Sequence, residues 1–313
     1  MIRHPVLVRA VAAAPARRRS RYVSPITQRY RFPERFRRVP SAGCQHHWCV
    51  VSRPEPGGAM PSAVGSPAWV DLATTDPGNA RDFYTGLFGW TWRQQPDYSV
   101  AFAAKTPVAG ILEPVAEMPT VWTLYLECGS VQRAADHVHA LGGQVLIPPT
   151  ETPADETFLV ARDPSGAVVG LWQAPPGATF GRDHAGMLCW AELHTRDASS
   201  ADPFYADLLG YRQEQIGEPG GEFDYTVWYV DDMPTAGRFD ASAALPTDVP
   251  PHWQLYFQVN PDQDTDSAVE RAVVLGGKVL REPSDSPHGR LAQLQDVVGA
   301  PFFVIDTALR TGE

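Results

Sequence analysis

The sequence predicts an α+β protein in which one strand–helix–strand–strand–strand unit (βαβββ) occurs four times, twice in each of two domains. Three observations support this fold class. The second half of the chain repeats the motifs of the first half in the same order. Short segments alternate apolar and polar residues, as strands do, and longer segments between them carry apolar residues at helical spacing. We therefore expect two open, cup-shaped sheets, preceded by an N-terminal extension.

The internal repeat sets the domain boundaries. Trp69-Val-Asp-Leu72 aligns with Trp190-Ala-Glu-Leu193, and other motifs follow in the same order. These motifs are Phe83-Tyr84 with Phe204-Tyr205, Asp97-Tyr98 with Asp224-Tyr225, Trp122-Thr-Leu-Tyr125 with Trp253-Gln-Leu-Tyr256, Leu141-Gly-Gly with Leu275-Gly-Gly, and Asp163-Pro-Ser-Gly with Asp296-Val-Val-Gly. The repeat predicts a first domain at 65–175, a Pro- and Gly-rich linker at 176–185 and a second domain at 186–307.

Residue spacing predicts the elements of the first domain. Residues 67–74 alternate as a half-buried strand does, and Asp76-Pro77 supplies the N-cap and first turn of a helix. That helix has an apolar face and ends at Gly89. The remaining expected strands are 90–95, 98–104, 107–113, 121–128, 144–147, 157–162 and 167–173, with a second helix capped by Ser130. In the second domain, Pro203 should unravel or kink the first turn of its helix.

Charge separates the first 60 residues from the rest of the chain. Residues 1–60 hold twelve Arg and two acidic residues, whereas the rest holds 14 basic and 34 acidic residues. The Arg- and Pro-rich segment lacks apolar periodicity, so we expect disorder. Three alternatives stay open, namely upstream sequence read as coding before Met60, a targeting peptide, and an arm that binds nucleic acid or membrane. The acidic remainder disfavours nucleic acid and membrane surfaces as partners.

Two further features of the composition bear on location. No apolar run approaches the roughly 20 residues of a membrane span. The four cysteines are too few and too scattered for a disulfide framework. We therefore expect a soluble, cytoplasmic protein.

The repeated unit, the Phe-Tyr…Leu-Phe-Gly-Trp helix end, the Leu-Gly-Gly turn and the Asp-Pro-Ser-Gly turn resemble the glyoxalase / bleomycin-resistance / extradiol-dioxygenase superfamily. More narrowly, the chain resembles two-domain actinobacterial glyoxalase-like proteins, some of which are called hydroxylases. The resemblance covers about residues 65–307 and implies tandem domains of the vicinal-oxygen-chelate (VOC) fold. It implies less about activity, because the superfamily includes lyases, isomerases, dioxygenases and drug-binding proteins.

The resemblance also implies where a catalytic divalent metal would bind. The matching positions lie on the first and last strands of the units and are Trp69, Thr123 and Gly170, with a fourth near Gly110, then Trp190, Gln254 and Phe303, with a fourth near Gly237. Indole, glycine and phenyl groups offer no lone pair to a metal, and one amide does not hold a divalent ion. We expect neither metal nor other cofactor. The alternative is a divalent metal at a displaced site.

Period-two alternation predicts the side chains that face into each cup. The first cup receives Trp69, Asp71, Thr123, Tyr125 and Glu127. The second cup receives Trp190, Glu192, His194, Gln254, Tyr256 and Gln258. Their neighbours, such as Val70, Leu72, Leu124 and Leu126, lie on the opposite face, beneath the helices. The same parity places Cys189 on that core side.

Both cups pair a Trp with a carboxylate two residues later, which is typical of a small-molecule pocket with aromatic walls. Such a wall suits planar or cationic ligands. Our first hypothesis is a metal-free protein that binds a small molecule, as a monomer or homodimer. The second is an enzyme of the same fold, a lyase, isomerase or oxygenase/hydroxylase, with Asp71, Glu192 and His194 as candidate catalytic residues. The third is a structural or interaction protein whose cups are filled by its own side chains.

Overall fold

Two eight-stranded sheets, each made of two βαβββ units, form the body of the protein. The computed structural model describes residues 63–95, 97–113, 119–152 and 155–309. The predicted leader at 1–60 lies outside the described residues. The observed element order confirms the α+β fold class and the four repeated units. No helix in the described ranges is long and apolar enough to cross a bilayer.

The elements of the first sheet fall close to the predicted positions, although β6 runs four residues beyond its expected end. They are β1 (Pro67–Ala73), α1 (Pro77–Phe88), β2 (Thr91–Gln94), β3 (Tyr98–Ala103), β4 (Thr106–Leu112), β5 (Val121–Glu127), α2 (Val131–Ala140), β6 (Gln144–Glu151), β7 (Thr157–Arg162) and β8 (Val168–Gln173).

The second sheet repeats this series. Its elements are β9 (Leu188–Thr195), α3 (Ala198–Leu209), β10 (Arg212–Gly217), β11 (Asp224–Val230), β12 (Met233–Asp240), β13 (His252–Gln258), α4 (Thr265–Val274), β14 (Lys278–Ser286), β15 (Gly289–Gln295) and β16 (Pro301–Asp306). A single 3-10 turn, Thr307–Leu309, follows.

Each sheet joins its two units through their first strands. In the first sheet the order is β2-β3-β4-β1-β5-β8-β7-β6, with β1 and β5 antiparallel at the centre and β4 and β8 parallel to them on either side. The second sheet has the same order, with β9 and β13 at its centre. In each sheet, the first strands of the two units therefore line the middle of the cup.

Matching caps define the ends of α1 and α3. The Asp76 side chain accepts a hydrogen bond from the backbone of Asn79, and Asp197 does the same for Ser200. Both helices end at a glycine in the left-handed conformation, with φ of 73° and 74°. Because the Asp197 cap holds the first turn, α3 begins at Ala198 despite Pro203. Pro203 therefore does not unravel that turn, which was one of the two outcomes expected of it.

One apolar core joins the helix-covered faces of both sheets. It contains β1 and β9 residues such as Val70, Leu72 and Leu193, together with the inner faces of the helices. Aromatic rings cross the boundary between the domains, for example Phe88 and Phe257, whose centroids lie 5.6 Å apart. The opposite face of each sheet is the cup, and it holds a smaller cluster of its own.

Two equivalent hydrogen bonds also cross between the domains. The hydroxyl of Tyr84, on α1, donates to Oδ2 of Asp296 over 2.8 Å. The hydroxyl of Tyr205, on α3, donates to Oδ2 of Asp163 over 2.9 Å. Each aspartate begins the turn before the last strand of the opposite domain, and its other oxygen accepts backbone N–H groups of that turn. We call these two bonds the tyrosine latches.

A β-bulge near the start of β1 and of β9 changes which residues face the cups. Phe257 pairs with Leu188 and Tyr256 with Trp190, so Cys189 is an extra residue on its strand. Ala68 holds the equivalent place in β1. Because the bulge resets the alternation, Cys189 packs in the cup with Trp190. The prediction that Cys189 lies on the core side was wrong.

Candidate functional site

A buried hydrogen-bonded cluster occupies the first cup. Asp71 Oδ1 accepts from the Trp69 indole over 2.8 Å and from the Tyr98 hydroxyl over 2.6 Å, and the Tyr125 hydroxyl is a third donor. Asp71 is 7% exposed. Burial raises the pKa of this carboxyl to about 6, because the three donors only partly offset the loss of water.

Two glycines make room for this cluster. Gly110 lies opposite Asp71 on β4, and a Cβ there would overlap the Tyr98 hydroxyl and the Asp71 carboxylate. Gly170 lies opposite Tyr125 on β8, and a Cβ there would overlap the Tyr125 ring. Side chains of the protein itself therefore fill the space above both glycines.

Aromatic residues complete the filling of the first cup. The Trp172 ring stacks with Trp69 at 6.4 Å between centroids and with Phe158 at 6.1 Å. Phe180, from the segment between β8 and β9, packs against Trp69 at 5.6 Å. The first cup is thus closed by its own aromatic rings.

The second cup repeats the cluster with one change. The Trp190 indole donates to the Tyr225 hydroxyl over 3.0 Å, and the Tyr256 hydroxyl donates to Glu192 Oε1 over 3.2 Å. Tyr225 also hydrogen-bonds to Glu192. His194 adds a partner that the first cup lacks, because its Nε2 lies 2.5 Å from Glu192 Oε1.

The second cup is more open than the first at this pair. The side chains of Glu192 and His194 are 13% and 17% exposed. Although burial acts to raise the pKa of Glu192, the hydrogen bond and charge of His194 together with the two tyrosine hydroxyls lower it below its ordinary value. Glu192 is therefore a carboxylate near neutral pH, next to an imidazole that reaches the opening.

A second histidine lies across the sheet from the first. His252, on β13, pairs directly with His194, on β9, and their ring centroids are 5.8 Å apart. His252 Nδ1 lies 2.9 Å from the carbonyl oxygen of Pro250, and its Nε2 lies 2.8 Å from the Gln254 amide nitrogen. Burial, reinforced by His194, lowers the pKa of His252 to about 4, so this ring is neutral.

Aromatic rings surround the polar pair of the second cup. The Tyr256 ring stacks on Phe303 at 4.4 Å between centroids. Phe239 lies 5.4 Å from His194 and 6.2 Å from Phe223. Aromatic faces and the carboxylate–imidazole pair therefore lie side by side in this cup.

Two of the predicted ligand-binding residues lie at strand ends, where their side chains bond to other parts of the chain. Glu127, at the end of β5, accepts hydrogen bonds from the backbone of Gly129 and Ala174. Gln258, its equivalent at the end of β13, accepts from the Thr307 hydroxyl. Both side chains hold the chain where it leaves the last strand, so the structure does not bring them to the Trp–carboxylate clusters.

Tyr98 and Tyr225 belong to the two clusters, although the sequence did not predict them there. Both stand at the same place in the repeat, in Asp97-Tyr98 and Asp224-Tyr225, and each lies above a glycine of the neighbouring strand, Gly110 or Gly237. The repeated tyrosine, together with the repeated glycine on the neighbouring strand, is the sequence feature that could have predicted these two residues. His252 had no such signal, because its partner His194 is 58 positions away and only the register of β9 and β13 joins them.

The positions that the family resemblance assigns to a metal do not suit one. Trp69, Gly110 and Gly170 carry no donor atom for a divalent ion, and neither do Trp190, Gly237 and Phe303. The Tyr225 hydroxyl fills the space above Gly237, as Tyr98 fills that above Gly110. Within the described part of the chain, no group of three His, Cys, Asp or Glu side chains is arranged to hold a metal ion elsewhere.

Family comparisons agree with this architecture. A profile described as the glyoxalase/bleomycin resistance protein/dioxygenase superfamily matches residues 66–171, and one described as a glyoxalase-like domain matches residues 190–305. The anthracycline biosynthesis protein DauV of Streptomyces sp. (strain C5) is 33% identical over 267 residues, which are 78% of this chain and 94% of DauV. The putative glyoxylase CFP32 of Mycobacterium tuberculosis is 37% identical over 257 residues, 78% of this chain and 95% of CFP32.

Solved structures share the fold at low sequence identity. The Mn(II)-bound glyoxalase from Novosphingobium aromaticivorans has a TM-score of 0.57 and 15% identity, over 81% of this chain and 87% of that one. The 2,3-dioxygenase LapB from Pseudomonas sp. KL28 has a TM-score of 0.55 and 13% identity, over 78% and 93%. The profiles and the relatives show that the chain belongs to the glyoxalase/bleomycin resistance protein/dioxygenase superfamily.

Proposed function

We propose that this protein binds a planar aromatic small molecule in its second cup, and that binding needs no metal at the positions used by metal-dependent relatives. The observation that carries the proposal is the difference between the cups. Both hold a Trp, two Tyr and a carboxylate, but only the second leaves its polar group partly open among aromatic rings. Aromatic walls with a few placed polar groups are typical of ligand pockets.

The first cup supports the proposal as a contrast. Its carboxylate, Asp71, is buried under three donors from the same cup, and Phe180 covers Trp69. A ligand would have to displace these groups before it reached Asp71. The hypothesis of a cup filled by its own side chains therefore fits the first domain, and the binding hypothesis fits the second.

The names of two relatives favour a flat, polycyclic ligand. DauV and DnrV, the latter from Streptomyces peucetius and 33% identical over 273 residues, are described as anthracycline biosynthesis proteins. An anthracycline contains a planar, fused aromatic ring system. Such a ring system has the shape that stacking on the aromatic side chains of the second cup requires.

Fluorescence titration with 2-hydroxyanthraquinone tests the proposal. We expect saturable quenching of tryptophan fluorescence by the wild type, unchanged after treatment with EDTA. Trp190→Leu should abolish binding, whereas Trp69→Leu, the same substitution in the first cup, should retain it. Circular dichroism should show that both variants are folded. The proposal fails if the wild type does not bind this compound, or if binding is lost with Trp69 and kept without Trp190.

A second candidate function, proton-transfer catalysis, is favoured by one specific observation. The 2.5 Å contact between Glu192 and His194 is the arrangement in which a carboxylate orients an imidazole to act as a general base. A lyase or isomerase could use it without oxidant or metal. Mass spectrometry of the bound compound after prolonged incubation in heavy water separates the two candidate functions. Catalysis of this kind would introduce deuterium into the compound or convert it into another compound, whereas binding alone would do neither.

A further inference from the structure

One row of side chains crosses the second cup from the centre of its sheet to the edge. The strand pairings place these residues side by side, namely Trp190 on β9, Tyr256 on β13, Phe303 on β16, Gln293 on β15 and Arg281 on β14. Residues paired in this way present their side chains to the same face of a sheet. Because Trp190 and Tyr256 belong to the Trp–carboxylate cluster, the row extends that site as far as the edge strand.

The equivalent row of the first cup ends in apolar residues. Its members are Trp69, Tyr125, Gly170, Val160 and Ile147. Val160 and Ile147 pack in the aromatic cluster that fills that cup. In the second cup, Arg281 takes the position of Ile147. Gln293 takes the position of Val160. The duplicated fold therefore places a cation and an amide where the first cup has two aliphatic side chains.

The guanidinium of Arg281 lies on the cup side of the sheet. Its Nη2 donates to the hydroxyl of Ser284 over 3.2 Å, and Ser284 pairs with Leu291, a member of the apolar cluster in the second cup. Burial raises the pKa of the Tyr256 hydroxyl well above its ordinary value, whereas the positive charge of Arg281 acts to lower it. Both observations bring the guanidinium to the face that carries Tyr256.

We propose that Arg281 selects aromatic ligands that carry a carboxylate group, and that the second cup binds this group at the end of the row. The inference rests on the proposed binding function of the second cup and names the chemical class of its ligand. A guanidinium keeps its charge at physiological pH, and its planar fork of N–H groups matches a planar carboxylate. Because it has several donors, it can bond to a carboxylate and to Ser284 at the same time.

The charges of the two cups favour one negative group in the second. In the first cup, burial raises the pKa of Asp71 and the negative charge of Glu156 raises it further, while Ile147 supplies no cation. That cup therefore repels an anion. In the second cup, Glu192 already accepts from the Tyr256 hydroxyl, and Arg281 supplies a positive charge. One guanidinium balances one carboxylate, whereas a doubly charged phosphate ester would leave a negative charge uncompensated.

The aromatic part of the row specifies what carries the carboxylate. Tyr256 and Phe303 stack in the middle of the row, with 4.4 Å between their centroids. A carboxylate conjugated with an aromatic ring lies near the plane of that ring, so a ring held against these side chains can direct the group at Arg281. An aliphatic carboxylate would lack the stacking, and an aromatic amide would lack the charge.

A matched pair of probes isolates the negative charge. Titrations of the full-length protein compare anthraquinone-2-carboxylate with anthraquinone-2-carboxamide, which has nearly the same shape and no charge. We expect the wild type to bind the carboxylate about tenfold more tightly, because its hydrogen bonds to Arg281 are charge-assisted. Arg281→Met keeps the aliphatic stem and removes the guanidinium, so the ratio of the two Kd values should fall to about one. Arg133→Met, on the exposed face of α2, removes the same charge and should leave the ratio unchanged.

The wild-type comparison needs no variant, so it decides the question even if Arg281→Met does not fold. Circular dichroism shows whether that variant is folded. Equal affinities of the wild type for the two probes, or an unchanged ratio in folded Arg281→Met, would overturn the inference. Binding of 2-hydroxyanthraquinone would then leave the proposed function standing. If none of the three compounds binds, the proposed function fails, and the inference fails with it.

Discussion

Replacing Tyr84 by phenylalanine removes one hydroxyl that serves two buried partners in different domains. That hydroxyl donates to Asp296 over 2.8 Å and accepts from the Trp122 indole over 3.0 Å. Phenylalanine keeps the ring, and with it the packing against Trp90 and Phe302. The substitution therefore tests one tyrosine latch without opening a large cavity.

The expected cost follows from the two lost hydrogen bonds. A bond to a charged acceptor contributes about 1.5–3 kcal/mol, and leaving a buried donor unsatisfied costs about 1–3 kcal/mol. We expect Tyr84→Phe to lower the free energy of unfolding by about 3–5 kcal/mol. For a protein of this size, that loss corresponds to a fall in Tm of roughly 10 °C. Tyr205→Phe should cost slightly less, because its Trp253 partner is farther away, at 3.3 Å.

Urea unfolding followed by tryptophan fluorescence and by circular dichroism measures this loss. Tyr229→Phe is the matched control, because Tyr229 also donates to a carboxylate, that of Glu214, but both of these side chains are partly exposed. We expect the control to cost less than about 1 kcal/mol. A loss in Tyr84→Phe no greater than that of the control would refute the view that the latches stabilise the two-domain unit.

Three further predictions concern buried polar and glycine positions. Burial raises the pKa of Asp71 to about 6, so the stability contributed by its protonated form is present in acid and is lost as the pH rises through 6. From pH 4 to pH 8, the free energy of unfolding of the wild type should fall by about 3 kcal/mol more than that of Asp71→Asn. Equal pH slopes for the two proteins would contradict this. Gly170→Ala should destabilise the first domain by about 1–3 kcal/mol in thermal unfolding, because the new methyl group overlaps Tyr125, and an unchanged Tm would show that the ring moves freely. Arg238→Met leaves the buried Asp224 without its ion pair and should cost about 3–5 kcal/mol in urea unfolding, whereas a neutral effect would mean that the charge is solvated.

Local spacing was enough to predict most of the fold. The alternation at 67–74 predicted β1, and the apolar face that includes Phe83 and Leu87 predicted α1. Both patterns involve only residues that are close together in the sequence. Alternation also placed Trp69, Asp71 and Tyr125 together in the first cup, in the cluster that the structure contains.

The rest of the site depends on features that periodicity does not carry. Cys189 faces the cup because a β-bulge adds one residue to the strand, and a shift of one residue reverses the face. Phe180 fills the first cup from a segment without regular secondary structure. His252 meets His194 only through the register of two strands, and Tyr84 meets Asp296 from 212 positions away. Contacts between residues so far apart in the sequence leave no pattern in the local sequence.

The tyrosine latches have a consequence for how this molecule is assembled. Each half contributes one hydroxyl donor and one aspartate acceptor at equivalent places, so the two halves meet through the same patch, as the subunits of a twofold-symmetric dimer do. A half produced on its own would expose an apolar face with a tyrosine and an aspartate that have lost their partners, and a second copy of that half could supply both. The covalent connection therefore makes permanent, within one chain, an association that separate subunits would have to maintain through their concentration.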